Sequence, residues 1–325
     1  MSFPDKEKIE TLKENGNPEL LAELDSQGLL IAPGETAAGY ADRLLAEEER
    51  IGKLREKLAA EKEIDPYTGL TIEAGMEIPD AILEEAAETT RKAYGFAVKW
   101  VPGFFPKHGL GILWGGCSIS SYEDQPTLFI IRRSFRDRKK FFIYGREELT
   151  AHELCHVART PIQDHEYEEH FAYAISHSPL RRYTGNCFKS EKDAILFILP
   201  VFLLLLVQIG RVTYWPMIPA WPFWILAFVW PVFLTVCNIF ARRRYFRAEN
   251  ALRSLGVEMP QAVLFRCTAD EINTFASLAD TPEQLKKYFQ EKQECDLRWK
   301  VITKRFIRKE EEGNGEAERC GCVSR

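Results

Sequence analysis

Three side chains in one short block can together do metal chemistry. They are His152, Glu153 and His156, in HELCH, within FFIYGREELTAHELCHVART at residues 141–160. On a helix, positions i and i+4 point from one face, one turn apart. Two imidazoles so placed can hold one Zn²⁺ at about 2.0–2.1 Å each. Glu153 is offset by one position, so it reaches a water on the metal rather than the metal, which is the general-base role. Zinc catalysis also needs a third protein ligand and an open position for water.

The flanking residues say what must position this block. KKFFIY, residues 139–144, reads as a strand broken by Gly145. Arg146, Glu147, Glu148 and Leu149 are good helix formers. Glu147 and Glu148 suit the first turn of a helix, Arg159 suits its end, and Pro161 stops it. After that turn DHEYEEHFAYAIS, residues 164–176, reads as a second helix rich in carboxylates, ended by Pro179. Asp164, His165, Glu166, Glu168 and Glu169 all lie within reach as a third ligand. Helical phase alone barely separates Glu168 from Glu169, because their i+3 and i+4 neighbours crowd a metal similarly.

Together the two helices resemble those of the gluzincin metallopeptidases, in the compact spacing of the minigluzincin type. Metzincin spacing would require Gly at 159 and His at 162, where this chain has Arg159 and Ile162. Gluzincins take their third ligand from a following glutamate helix, which reads NEGFASY in the aminopeptidase branch. EEHFAYA aligns with it, so the resemblance implies Glu169 as the ligand, with Glu168 as the alternative. Thermolysin-like members carry Asp four residues after the ligand, where this chain has Tyr173. The resemblance implies an α+β fold: a small zincin-like mixed sheet, an active-site helix and a glutamate helix. It implies a peptide or protein substrate, hydrolysed by zinc-activated water with Glu153 as base. Tyr173 and His177 share a helix face with Glu169, and either can stabilise the oxyanion. The rival reading is a catalytically weak zincin-fold scaffold that organises a membrane assembly.

The 325-residue chain carries a formal net charge of −5, which argues against general nucleic-acid binding. Its eight cysteines form no regular C-x-x-C pairs, and free thiols in a reducing compartment are expected. MSFPDKEKIE is charged from its first residues, and no secretory leader is expected there. Residues 194–210 carry no charge, nor do residues 212–241, and only Arg211 separates them. Soluble cores seldom need so long an uncharged run, so a two-span membrane hairpin is expected. Trp215, Trp221 and Trp230 suit the interfaces. Arg181, Arg182, Lys189 and Lys192 precede the first run and Arg242, Arg243 and Arg244 follow the second. The positive-inside rule then places both termini and the zinc site in the cytoplasm, close to the bilayer, where a membrane-proximal substrate is reasonable.

Five regions follow. Residues 1–64 read as a helical hairpin or coiled-coil-like arm able to face a helical protein partner. Residues 65–190 form the catalytic domain, opening on a linker at 64–79 and the helix DAILEEAAETTRKAYG capped by Asp80. Strands FAVKWV, GILWGGCSIS and TLFIIRRSF follow, and the glycines of the second suit a substrate-binding edge. Residues 191–241 form the hairpin. Residues 242–310 form a cytoplasmic helical module whose basic end, with Trp299 and Phe306, can lie on an anionic leaflet. Residues 311–325 read as a disordered tail.

Overall fold

The computed structural model describes residues 3–67, 69–107, 115–120, 125–141, 143–189 and 191–307. The tail 311–325, and parts of the loops on either side of GCSIS, lie outside these. The fold is mixed α+β and mostly helical, with small sheets and two long apolar helices.

The first three helices are α1 (Lys6–Asn15), α2 (Pro18–Ser26) and α3 (Ala37–Glu61), each started by a side-chain cap from Asp5, Asn17 or Thr36. Their sparse apolar positions are covered from within the chain: Ile9, Leu12, Leu21, Leu24 and Leu44 join the same core as Phe96 and Leu154. The segment expected as a linker folds instead as an antiparallel pair, β1 (Glu63–Tyr67) and β2 (Leu70–Glu73). Gly69, at φ 81°, makes the turn. Ile64, Leu70 and Ile72 then close a second apolar cluster over Leu54, Leu58, Phe104 and Ile130.

Helix α4 (Asp80–Tyr94) ends at Gly95 in the left-handed conformation, as expected; at its start Asp80 is the first helical residue rather than a side-chain cap. FAVKWV is not a strand. It runs as irregular backbone whose Phe96, Val98 and Val101 are buried in the core. The sheet comprises β3 (Gly103–Phe104), β4 (Gly116–Ile119) and β5 (Leu128–Ile131) in the order β3-β5-β4, parallel then antiparallel. β5 is buried along its whole length and β4 is an edge. KKFFIY is likewise not one strand: β6 (Lys140–Phe141) and β7 (Tyr144–Gly145) pair back on each other.

Helix α5 (Arg146–Arg159) lies against β4 and β5, and α6 (Glu168–Ala174) and α7 (Pro179–Thr184) follow. Helices α8 (Glu191–Thr213) and α9 (Trp221–Ser254) are long and apolar enough to cross a membrane. Their apolar side chains are exposed rather than in the core: Ile195, Ile198, Leu199, Phe228 and Val232 all face outward. Such a continuous apolar surface is unusual for a protein wholly in water. Helix α9 does not stop at its basic end. It continues through Arg242–Arg244 to Ser254, and its second half is buried at Tyr245, Ala248 and Leu252.

Helices α10 (Pro260–Phe265), α11 (Ala269–Ser277), α12 (Pro282–Cys295) and α13 (Leu297–Phe306) complete the chain. A capping box at Thr268 and Glu271 starts α11. Helix α12 ends at Asp296, whose side chain caps α13. The Trp299 expected at a leaflet is wholly buried, its indole donating to Glu271.

Candidate metal centre

Helix α5 starts at Gly145, and Glu147 and Glu148 occupy its first turn. Its burial is nearly all-round, because β4, β5, α4 and α6 surround it. His152 and His156 project from one face, with their Nε2 atoms 3.1 Å apart. Glu169 of α6 brings one carboxylate oxygen to 3.5 Å from His156 Nε2 and the other to 3.7 Å from His152 Nε2. Ligands about 2.0–2.1 Å from one ion in a tetrahedral shell stand about 3.3–3.4 Å from one another. The three donors of His152, His156 and Glu169 therefore fit around a single cation.

The turn that brings α6 back depends on residues between the two helices. Arg159, at the end of α5, is wholly buried. Its guanidinium donates to Asp164 at 2.9 Å, to Glu168 at 3.0 Å and to the Phe265 carbonyl. Gln163 takes the left-handed conformation at φ 53°, turning the chain. Asp164 also accepts the Glu166 amide, fixing the start of α6.

Glu168 does not face the cluster as Glu169 does. Its Oε1 accepts the proton of His156 Nδ1 at 3.0 Å, while Oε2 pairs with Arg159. That hydrogen bond fixes the His156 ring and leaves Nε2 as the metal-facing atom. For His152 the corresponding partner is the Ala172 backbone. Sequence reasoning missed this support for His156. The signal was present in the adjacent pair Glu168-Glu169, whose side chains leave α6 about 100° apart.

The electrostatics match the geometry. Burial by itself would lower His156, but hydrogen bonding to Glu168 and the charges of Glu169 and Glu153 hold it up at about 9. Burial, and then the charge of His156, push His152 well down. One positive charge in this nest of carboxylates is thus favoured, which is what a cation site requires.

Glu153 points from the neighbouring face towards β4, where its carboxylate meets the Ser118 backbone. Burial pushes it up to about 7; His156 opposes that and Glu169 adds to it. Gly116 makes this placement possible. A Cβ there would stand 2.9 Å from Glu153 Oε1 and 3.0 Å from the Ile130 carbonyl oxygen.

Tyr173 packs its ring on His152, with centroids 4.5 Å apart, and lines a cavity of about 710 Å³ that opens on the cluster. His177 does not reach it. Its side chain is 72% exposed, with Nδ1 3.3 Å from Glu148. Arg181, which sequence reasoning passed over as a topology charge, does line the cavity. It pairs with Glu148 at 3.1 Å and lies over the Tyr144 ring. Burial and the nearby Glu153 push the Cys117 thiol up to about 11, and Cys155 is buried, so neither is a nucleophile here.

No family model, curated protein or solved structure matches this chain.

Proposed function

We propose that the protein is a membrane-bound, zinc-dependent metallopeptidase of gluzincin type, with its catalytic domain on the cytoplasmic side. The observation that carries this reading is the joint placement of three donors and one buried carboxylate: His152, His156 and Glu169 converge, and Glu153 stands beside them without joining them. Two histidines and one glutamate are a donor set suited to catalytic zinc. A zinc ion held there would lower the pKa of a water and polarise the carbonyl to be attacked.

The chain's own residues account for the proton traffic. Glu153 takes a proton from the attacking water and delivers it to the amide nitrogen as the C–N bond breaks; the water oxygen ends in the carboxylate and both water protons end on the leaving nitrogen, which departs as an ammonium group. A carboxyl buried beside the three donors, and held by the Ser118 backbone, is placed for both halves of that transfer. Tyr173 and Arg181 stand on the cavity wall, where a phenol and a guanidinium favour negative charge developing on the carbonyl oxygen. The β4 edge beside Glu153 offers backbone groups to an extended peptide.

The test is metal analysis joined to hydrolysis of a peptide mixture. The purified protein should carry one zinc, and His152→Ala or His156→Ala should lose it. Glu153→Gln should keep the zinc and slow turnover by about 10²–10⁴-fold. Less than a tenth of an equivalent in protein purified without chelators, or unchanged turnover in Glu153→Gln, would overturn the reading.

A further inference from the structure

The cavity beside the metal cluster has two unlike ends. One is formed by His152, Glu153, Glu169 and Tyr173. The other is formed by Phe197 of α8 and by Pro231, Leu234 and Thr235 of α9, all within the two apolar helices. Exposed Ile143 also lines it, as does half-exposed Phe188, whose ring packs on Phe197 with centroids 5.6 Å apart.

This end of the cavity is held in place. Asn238 of α9 donates to the Tyr183 carbonyl at 2.7 Å, and Arg242 donates to the Arg182 carbonyl at 2.8 Å. Arg242 also lies over the Tyr183 ring. Helix α7 is therefore fastened to α9 where its apolar part gives way to Arg242–Arg244. Gly185 lets the chain pass close beneath Tyr173, since a Cβ there would fall 2.2 Å from that ring.

Resting on the peptidase reading, we propose that the cavity is a bilayer-side entrance, and that the substrates are polypeptides anchored by their own apolar span and cut where they leave the membrane. The apolar end receives residues still at the level of the acyl chains, and the polar end receives the extended segment just outside. A polypeptide is favoured over a lipid because the outer edge of β4, which pairs with no strand among the described residues, lines an adjoining cavity that shares Gly116, His152, Glu153 and Glu169 with this one. Water adds across the peptide bond as the C–N bond breaks, leaving a carboxylate on one fragment and an ammonium group, which carries both water protons, on the other.

The experiment uses the full chain, zinc-loaded, in lipid nanodiscs. The probes are synthetic peptides with a Leu/Ala span of about 20 residues and a randomised twelve-residue extension. In one set the extension follows the span directly; in the other a flexible Gly/Ser spacer of about 20 residues intervenes, spanning roughly 25 Å. The directly joined set should be cut at least as fast as the spaced set. Thr235→Trp, at the membrane end, should lower the ratio of direct to spaced cleavage at least about tenfold, the scale of a steric change in a pocket. Val229→Trp, on the opposite face of α9, should leave the ratio unchanged. Cleavage of the spaced set alone, or fatty-acid release from the nanodisc with peptides intact, would overturn the entrance. Zinc retained with neither set cut and no lipid hydrolysed would instead remove the peptidase reading, and the entrance with it. If Thr235→Trp does not fold, the wild-type comparison of the two sets decides alone.

Discussion

At the scale of single residues, two carboxylates next to each other in sequence have different tasks. Glu169 faces the donor cluster, and Glu168 orients one histidine from behind. Glu168→Ala should therefore weaken metal binding by about 10–100-fold without abolishing it. Glu168→Gln should recover part of the loss, because its amide oxygen still accepts from Nδ1. Chelator competition measures both, and Glu169→Ala should be the more severe. Gly116 gives a second prediction. Gly116→Ala should keep the metal but displace the Glu153 carboxylate, and misplacement by about 1 Å can cost roughly 10²-fold in turnover. Loss of metal along with turnover would show that Gly116 serves the fold rather than the carboxylate. Of the donor cluster, the two histidines were legible from their spacing. Helical phase did not separate Glu168 from Glu169; the resemblance of EEHFAYA favoured Glu169, and the turn that carries it to the cluster hangs on buried Arg159. That contact joins residues more than a hundred positions apart, at Phe265, and no local pattern announces it.

At the scale of elements, helices were legible where caps and breakers agree with apolar spacing, as at Gly95 and the ends of α5. Short strands were not. Residues 63–67 contain Pro66, which argues against a strand, yet the pair with 70–73 forms because Ile64 and Ile72 cover Leu54 and Leu58. FAVKWV has strand composition, but its side chains fill the core without a neighbouring strand to pair with among the described residues. The C-terminal helices are locked by a buried pair: Arg298 donates to both oxygens of Glu271, and Trp299 donates to one of them. Burial would raise the Glu271 carboxyl, but the Arg298 charge and its hydrogen bonds hold it below 4.5. A carboxyl depressed in the folded state stabilises above its unfolded value and loses that contribution as pH falls through its folded value. Melting temperature should thus drop as pH falls below about 4.5, the ordinary value. Glu271→Gln should flatten that drop and cost about 3–5 kcal/mol at neutral pH, because Arg298 is left buried and unpaired.

At the scale of the whole molecule, the sequence separates five regions, whereas the buried core runs through most of them. Leu21, Phe96, Leu154, Tyr245 and Trp299 belong to one cluster. Polarity along the chain marks where the two long apolar helices begin, but does not reveal that α9 joins an exposed apolar half to a half buried in the core. The proposed orientation has a direct test. Single cysteines at positions 60, 213 and 283, in a cysteine-free background, occupy exposed sites. Positions 60 and 283 should be labelled from the cytoplasmic side and 213 from the opposite side. Labelling of 60 and 283 from opposite sides would mean that only one helix spans.

The dual character of α9 also bears on biosynthesis. Ribosomes release the chain from its amino end, so HELCH and α6 emerge before α9 exists. Yet the rear of α6 is sealed by what comes later: His170 and Phe171 pack on Tyr245, and Phe171 packs on Phe265. On the proposed topology, Tyr245 reaches α6 only after both apolar helices have been threaded into the lipid. The nascent chain would then leave this site unassembled until insertion is complete and, on the peptidase reading proposed above, no active site would stand unsheltered during translation.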